Sequence, residues 1–163
     1  MNTLLSCRRI VLENAQDAAE LLNLLDHYAR DPMGGGMPLS AEVRKNLVLR
    51  LRQTPGYVGG LAFLGNDAVG LVNCFAGFST FAAMPLLNIH DLVVREGHRG
   101  AGVGQALLAW AEAEARALGC CKLTLEVLTG NGRGMRSYAQ AGYEPYELDP
   151  AAGQAVLLQK KLR

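Results

Sequence analysis

The sequence predicts a single α/β domain, with a mixed central sheet of about six to seven strands and about four helices on both faces. Three observations carry this. Apolar residues recur at helical spacing in several segments, while the middle and end of the chain switch to apolar, aromatic and β-branched runs. Hairpin-like neighbours are mixed with a strand–helix–strand crossover, which requires both antiparallel and parallel pairs. A glycine-rich turn at residues 93–104 joins a strand-like run directly to a helix-like one.

Taken in order, residues 8–12 read as a short first strand. Asn14 caps a helix, with Asp17 three residues on in the capping-box position. Ala18, Leu21, Leu22, Leu25 and Tyr28 share one face of it, and Asp31-Pro32 stops it. A loop containing Gly34, Gly35 and Gly36 follows. Ser40 caps a second helix carrying Val43, Leu47 and Leu51, which ends before Pro55. Residues 57–64 and 68–78 form two strands around a Gly65-Asn66-Asp67 turn. Residues 86–94 make a third long strand. Val103, Ala106, Leu107, Trp110, Ala113 and Ala117 mark the next helix, closed at Gly119. A buried strand beginning near Cys120 and Cys121 runs to about residue 128. A shorter helix over 131–141 closes at Gly142, and residues 143–148 and 155–161 supply two last strands.

Composition narrows the function classes. Apolar residues make up 50% of the chain and charged residues 19%, as in a globular domain, and no repeat or linker divides residues 1–163. A net charge of +1 gives no electrostatic case for nucleic acid or an anionic membrane. No apolar run approaches the roughly 18 residues of a membrane helix. The N-terminus lacks the pattern of a secretory signal, so a cytoplasmic protein is expected. Cys7, Cys74, Cys120 and Cys121 show no metal-ligand spacing, and an adjacent pair is a poor geometry for a disulfide. No metal is expected.

The densest signal is Arg99-Gly100-Ala101-Gly102-Val103-Gly104, placed between strand and helix. Glycines there allow a tight turn and clear the helix start of side chains. The free N–H groups of the first turn, backed by the helix dipole, then form an anion site suited to phosphate. Gln105 stands where the dinucleotide pattern needs its third glycine, and no Gly-Lys-Ser/Thr follows. A nucleotide-binding α/β domain is therefore disfavoured.

With Asn131, Tyr138, Gly142 and Tyr143 downstream, residues 86–146 resemble the GCN5-related N-acetyltransferases, the GNAT family. The Arg99, Gly102 and Gly104 spacing is similar to that family's pyrophosphate loop, and Asn131 to Tyr138 to its second signature. Gly134 departs from the alanine usual between them. The resemblance implies a GNAT-like fold and acetyl-CoA as cofactor, held by Leu92, Val93, Val94, Arg99, Gly100, Ala101, Gly102, Val103, Gly104, Asn131 and Tyr138.

It also implies roles in acetyl transfer to an amine. A splayed strand presents a backbone N–H to the thioester oxygen, here assigned to Val93, and such a donor contributes roughly 3 kcal/mol. Tyr138 is the expected general acid: a phenol of pKa about 10 is protonated at neutral pH and can donate to the departing thiolate. The glutamate many members carry on the strand is replaced by Asn88 and His90. Asn cannot take a proton usefully, so His90 is the candidate base, directly or through water. By strict alternation Asp91 faces the other way, with a structural role.

The loop after the first helix shapes the acceptor pocket in this family. Asp26 and Asp31 can attract a cationic amine, Tyr28 and Met33 can pack its alkyl part, and Asn88 on the strand is a further substrate-binding candidate. The expected partner is a small-molecule or peptide amine, with no nucleic acid and no membrane. A homodimer is expected, with residues 155–161 as a pairing edge. The competing expectation is a non-catalytic acyl-CoA-binding module of the same fold.

Overall fold

Residues 4–162 are described by the structure, a computed structural model. A five-stranded sheet in the order β1-β2-β3-β4-β5 organises the chain through Leu125. Its strands are β1 (Leu5–Arg9), β2 (Tyr57–Leu64), β3 (Asp67–Ser79), β4 (Met84–Val94) and β5 (Leu123–Leu125). The first four pair antiparallel in sequence order, and β5 joins β4 in parallel. That parallel pair is the crossover the sequence requires, and helix α3 (Val103–Ala117) makes it.

Alternation along β2 and β3 sorts the side chains onto two faces. On one, Leu61, Ala68, Leu71 and Val93 pack with Leu21 and Leu24 of α1 (Ala15–Arg30) and Leu51 of α2 (Ala41–Arg52). Five of these leucines—Leu21, Leu24, Leu61, Leu71 and Leu51—are at most 8% exposed. Each such side chain contributes about 1.5–3 kcal/mol by leaving water. On the other face α3 crosses the sheet. It sits so close that a Cβ on Gly60 would fall 2.5 Å from the Trp110 ring. A side chain at position 60 would push the helix off the sheet.

Both caps of the first two helices form as the sequence predicts. Asn14 accepts from the Gln16 and Asp17 N–H groups at 2.9 and 3.1 Å, and Ser40 from the Val43 N–H at 3.2 Å. Asp17, however, completes no capping box. Its carboxylate takes both Arg8 guanidinium nitrogens at 2.6 and 2.7 Å and the Val11 N–H at 2.9 Å. The first strand is displaced accordingly: it ends at Arg9 rather than Leu12, and Ile10 and Leu12 turn into the core.

The sheet has five strands rather than six to seven. β5 stops at Leu125, and no strand follows it among the described residues. Pro145 breaks the expected run at 143–148 because it has no N–H for a ladder. Asp149 caps a 3-10 turn at Pro150–Ala152, and Val156, Leu157 and Leu158 beyond it are exposed. An apolar run without a partner ladder is not a strand. Cys120 and Cys121 do not begin a buried strand either. Gly119 and Cys120 close α3 by donating to Arg116 O and Ala115 O, and Cys121 is exposed.

The chain divides after Leu125 into two units. In the second, Asn131 caps α4 (Gly132–Gln140) by accepting from the Gly134 N–H at 2.9 Å. A Cβ on residue 134 would lie 2.7 Å from the Asn131 amide. Glycine at this position therefore leaves room for the cap, which explains the departure from alanine.

Candidate active site

Strand β4 carries an irregularity that no alternation rule anticipates. Asn73 of β3 faces Asp91, and the next residue, Cys74, faces Ile89. His90 is thus an extra residue, a β-bulge. Its ring stands edge-on to Phe75 with centroids 5.5 Å apart, while Asp91 accepts a hydrogen bond from the Asn73 side chain at 3.0 Å. Asn73 and Phe75 are two apart on a regular stretch of β3, so they share a face. His90 and Asp91 therefore point to that same face, which is the face of α1 and α2. The expectation that Asp91 faces away is overturned by one inserted residue.

Asn88 lies opposite Phe75 on the same side, and its amide donates to Thr124 Oγ1 at 3.0 Å. Tyr28 packs against this core, and burial, followed by the charges of Asp91 and Asp31, pushes its phenol pKa up.

The bulge also changes where backbone amides point. Before it, the Leu87 N–H reaches Lys122 O on the β5 side at 3.1 Å; beyond it, the Arg95 N–H reaches Val69 O of β3 at 2.8 Å. Amide direction alternates residue by residue along a strand. Val93, two residues before Arg95, accordingly turns its N–H into the sheet, while Leu92 and Val94 turn theirs outward. Counting from Leu87 without the bulge would turn the Val93 N–H outward; with the bulge it points into the sheet.

Those outward amides lie on an open edge. β5 accompanies β4 only from Leu87 to Ile89, so residues 90–94 have no ladder on that side among the described residues. The open edge leads straight into the glycine turn, where Gly97, Gly100 and Gly102 adopt φ of 87°, 82° and 82°. Gly102 is the N-cap of α3 and no side chain caps that helix. Ala101, Val103 and Gly104 complete the turn, and the first-turn amides of α3 form a helix start suited to an anion.

Arg99 at the turn pairs with Asp31 at 2.8 Å, and the Glu96 N–H donates to His27 Nε2 at 3.2 Å. Both contacts tie the end of α1 to the glycine turn; His27 carried no sequence signal because its role depends on a backbone far along the chain. Asp31 also accepts from the Met33 N–H at 2.9 Å, and the Arg99 guanidinium holds its carboxyl below the usual range. Asp26 is engaged as well, by Arg30 at 2.9 Å, the Leu39 N–H at 2.8 Å and Arg44 at 3.4 Å. Arg30 foremost depresses its pKa. The two acidic residues expected to attract an acceptor thus hold their own loop together. Met33 lies exposed in that loop and its carbonyl accepts from the Tyr28 hydroxyl at 3.4 Å.

Asn131 and Tyr138 belong to the second unit. There Asn131 serves α4 as its cap, and the Tyr138 ring lies edge-on to Tyr143 at 6.1 Å. The described residues contain no group of three or more His, Cys, Asp or Glu able to hold a metal ion. Cys74 is buried in the sheet, and desolvation pushes its thiol pKa up to about 12, out of reach of thiolate chemistry.

The family model of the acetyltransferase (GNAT) family matches residues 21–143, and the chain belongs to that family. Streptothricin acetyltransferase of Streptomyces lavendulae is 36% identical over 92 residues, which cover 56% of this chain and 49% of that protein. Aminoalkylphosphonate N-acetyltransferase of Salmonella typhimurium is 33% identical over 84 residues, covering 52% and 54%. The chain thus matches about half the length of these curated relatives. Among solved structures, an aminoglycoside acetyltransferase from a soil metagenomic sample, in complex with sisomicin, superposes with a TM-score of 0.78. It covers 98% of this chain and 97% of its own at 18% identity, a likeness of fold. No described helix is long and apolar enough to cross a membrane.

Proposed function

We propose that this chain is an acetyl-CoA-dependent N-acetyltransferase, which passes an acetyl group from the thioester directly to a primary amine of a small molecule or peptide. The observation that carries this reading is the open edge of β4 beyond Ile89, continuous with the uncapped start of α3. A pantetheine arm has amides that pair with such an edge as an added strand would. The diphosphate then falls at the first-turn amides of residues 102–104, with Arg99 beside it.

In this reading the thioester carbonyl takes its hydrogen bond from the Leu92 N–H, in place of Val93, and the Val94 N–H serves the pantetheine. A fixed donor aimed at charge that develops during attack acts where it lowers the barrier. His90 takes the amine proton, directly or through water, from a face it shares with Asn88 and Tyr28. Tyr138 gives a proton to the departing thiolate, a role that rests on the family resemblance. Small-molecule acceptors are favoured by the relatives' names, a streptothricin acetyltransferase and an aminoalkylphosphonate N-acetyltransferase. A cytoplasmic homodimer completes the reading, supported by the exposed Val156, Leu157 and Leu158.

Acetyl-CoA turnover with a panel of small amines and short peptides, followed by release of free thiol, tests the reading. Amine-dependent thiol release is the expected result. Calorimetric binding of acetyl-CoA without turnover of any amine would instead establish an acyl-CoA-binding module.

A further inference from the structure

Asn73 is a polar side chain in the middle of a central strand, only 3% exposed and flanked by the fully buried Val72 and Cys74. Burying an amide there costs free energy unless both of its ends are paired. Both are. Its Oδ1 accepts from the Tyr57 hydroxyl at 2.9 Å, and its Nδ2 donates to Asp91 Oδ2 at 3.0 Å. Donor chemistry makes this chain directional, because a carboxylate only accepts and the phenol has one proton to give. Burial pushes the Tyr57 phenol well above its ordinary pKa, so it stays a donor. The carboxylate is therefore the terminus of the chain, held at one oxygen.

Its other oxygen, Asp91 Oδ1, receives no hydrogen bond among the described residues. Asp91 also has no Arg or Lys partner there, in contrast to Asp17, Asp26 and Asp31. The Phe75 ring contacts both Tyr57 and His90, at 5.6 and 5.5 Å, and Tyr28 packs onto the same core. The Asp91 charge acts on both the Tyr28 and Tyr57 phenols, and a negative charge beside aromatic side chains on this face suits a cation with an apolar stem.

We propose that Asp91 selects acceptors that carry a positive charge, and that Asn73 and Tyr57 are positioning residues that hold its carboxylate on the acceptor side of the bulge. The inference deepens the N-acetyltransferase reading and rests on it. It assigns the recognition of an alkylammonium group to a residue that strict alternation would place on the opposite face.

Steady-state kinetics on the full chain separate the possibilities. The probes are the best alkylamine of the panel, cationic at pH 7.5, and aniline, neutral at that pH. For Asp91→Asn the KM for the alkylamine is expected to rise about ten- to hundredfold, the scale of a lost charge-assisted contact. The KM values for aniline and for acetyl-CoA stay within about twofold, since neither meets this charge. Tyr57→Phe removes one oxygen and keeps the ring, and is expected to raise the alkylamine KM alone, by about three- to tenfold. Asp91→Glu restores part of the lost discrimination. A merely structural role for Asn73 and Tyr57 would move kcat and all three KM values together, and that result overturns the inference, as does an Asp91→Asn enzyme that still prefers the alkylamine. If the wild-type protein turns over no amine at all, the acetyltransferase reading falls and takes this inference with it.

Discussion

The His90 ring meets the Phe75 ring edge-on at 5.5 Å, with the two planes at 84°. This contact exists because His90 is the extra residue of a bulge and Phe75 belongs to a regular strand. One inserted residue thereby gathers Asn88, His90 and Asp91 on one face and reverses which backbone amides look outward. The first consequence is chemical. His90→Gln is expected to lower kcat about 10²-fold, the scale of general base catalysis, with acetyl-CoA affinity unchanged. Calorimetry beside steady-state kinetics checks it, and an unaltered kcat would remove His90 from the mechanism.

A proline substitution distinguishes the two candidate donors. At Leu92 it deletes an N–H on the open edge, where no ladder bond is lost. Leu92→Pro should fold, judged by circular dichroism, and lose about 10²–10³-fold in kcat. Val93→Pro deletes an N–H that points into β3 within the buried core. Its melting temperature should fall sharply. The opposite pattern would restore Val93 as the donor.

Arg99 has two calls on its charge. In the structure it pairs with Asp31 at 2.8 Å, across a partly exposed contact. Such pairs contribute about 0.2–1 kcal/mol, and a charge-assisted bond to diphosphate more. Arg99→Ala should therefore weaken acetyl-CoA binding about tenfold. Asp31→Asn, by releasing Arg99, should tighten it up to about fivefold. Titration calorimetry at low and high salt reads both, and weaker binding in Asp31→Asn would exclude the competition.

Tyr138→Phe keeps the ring that lies edge-on to Tyr143 and removes the phenol hydroxyl with its acidic proton. A general acid typically contributes 10²–10⁴-fold, so kcat should drop by at least about 10²-fold while acetyl-CoA still binds. Unchanged turnover would mean that the thiolate leaves without help from this phenol.

Asp17 makes a stability prediction with a definite pH sign. Its hydrogen bonds to Arg8, ahead of any other cause, hold its pKa below the ordinary carboxyl value of 3.8. A depressed carboxyl contributes stability that is complete above the unfolded value and is lost as pH falls through the folded one. Asp17→Asn should cost about 1–3 kcal/mol in urea unfolding at pH 7. The gap between variant and wild type should close below pH 3.8. A gap of constant size would show that Arg8 does not act on the charge of Asp17.

Much of this protein is legible along the chain because it is local. Asn14 and Ser40 announce their helices by a side-chain oxygen within three residues of the N–H it caps. Arg99-Gly100-Ala101-Gly102 marks a turn and a bare helix start, since positive φ and the missing cap belong to the residues themselves. Tertiary structure decided what depends on pairing between distant segments. Whether 155–161 becomes a strand depends on a partner ladder, and Asp17 chose Arg8 on a neighbouring strand over its own helix. Above all, a bulge is a difference in count between two strands. Nothing within residues 86–94 records it; only the register against β3 does, and that register sends Asp91 to the face of α1 and α2 and the Leu92 amide to the open edge.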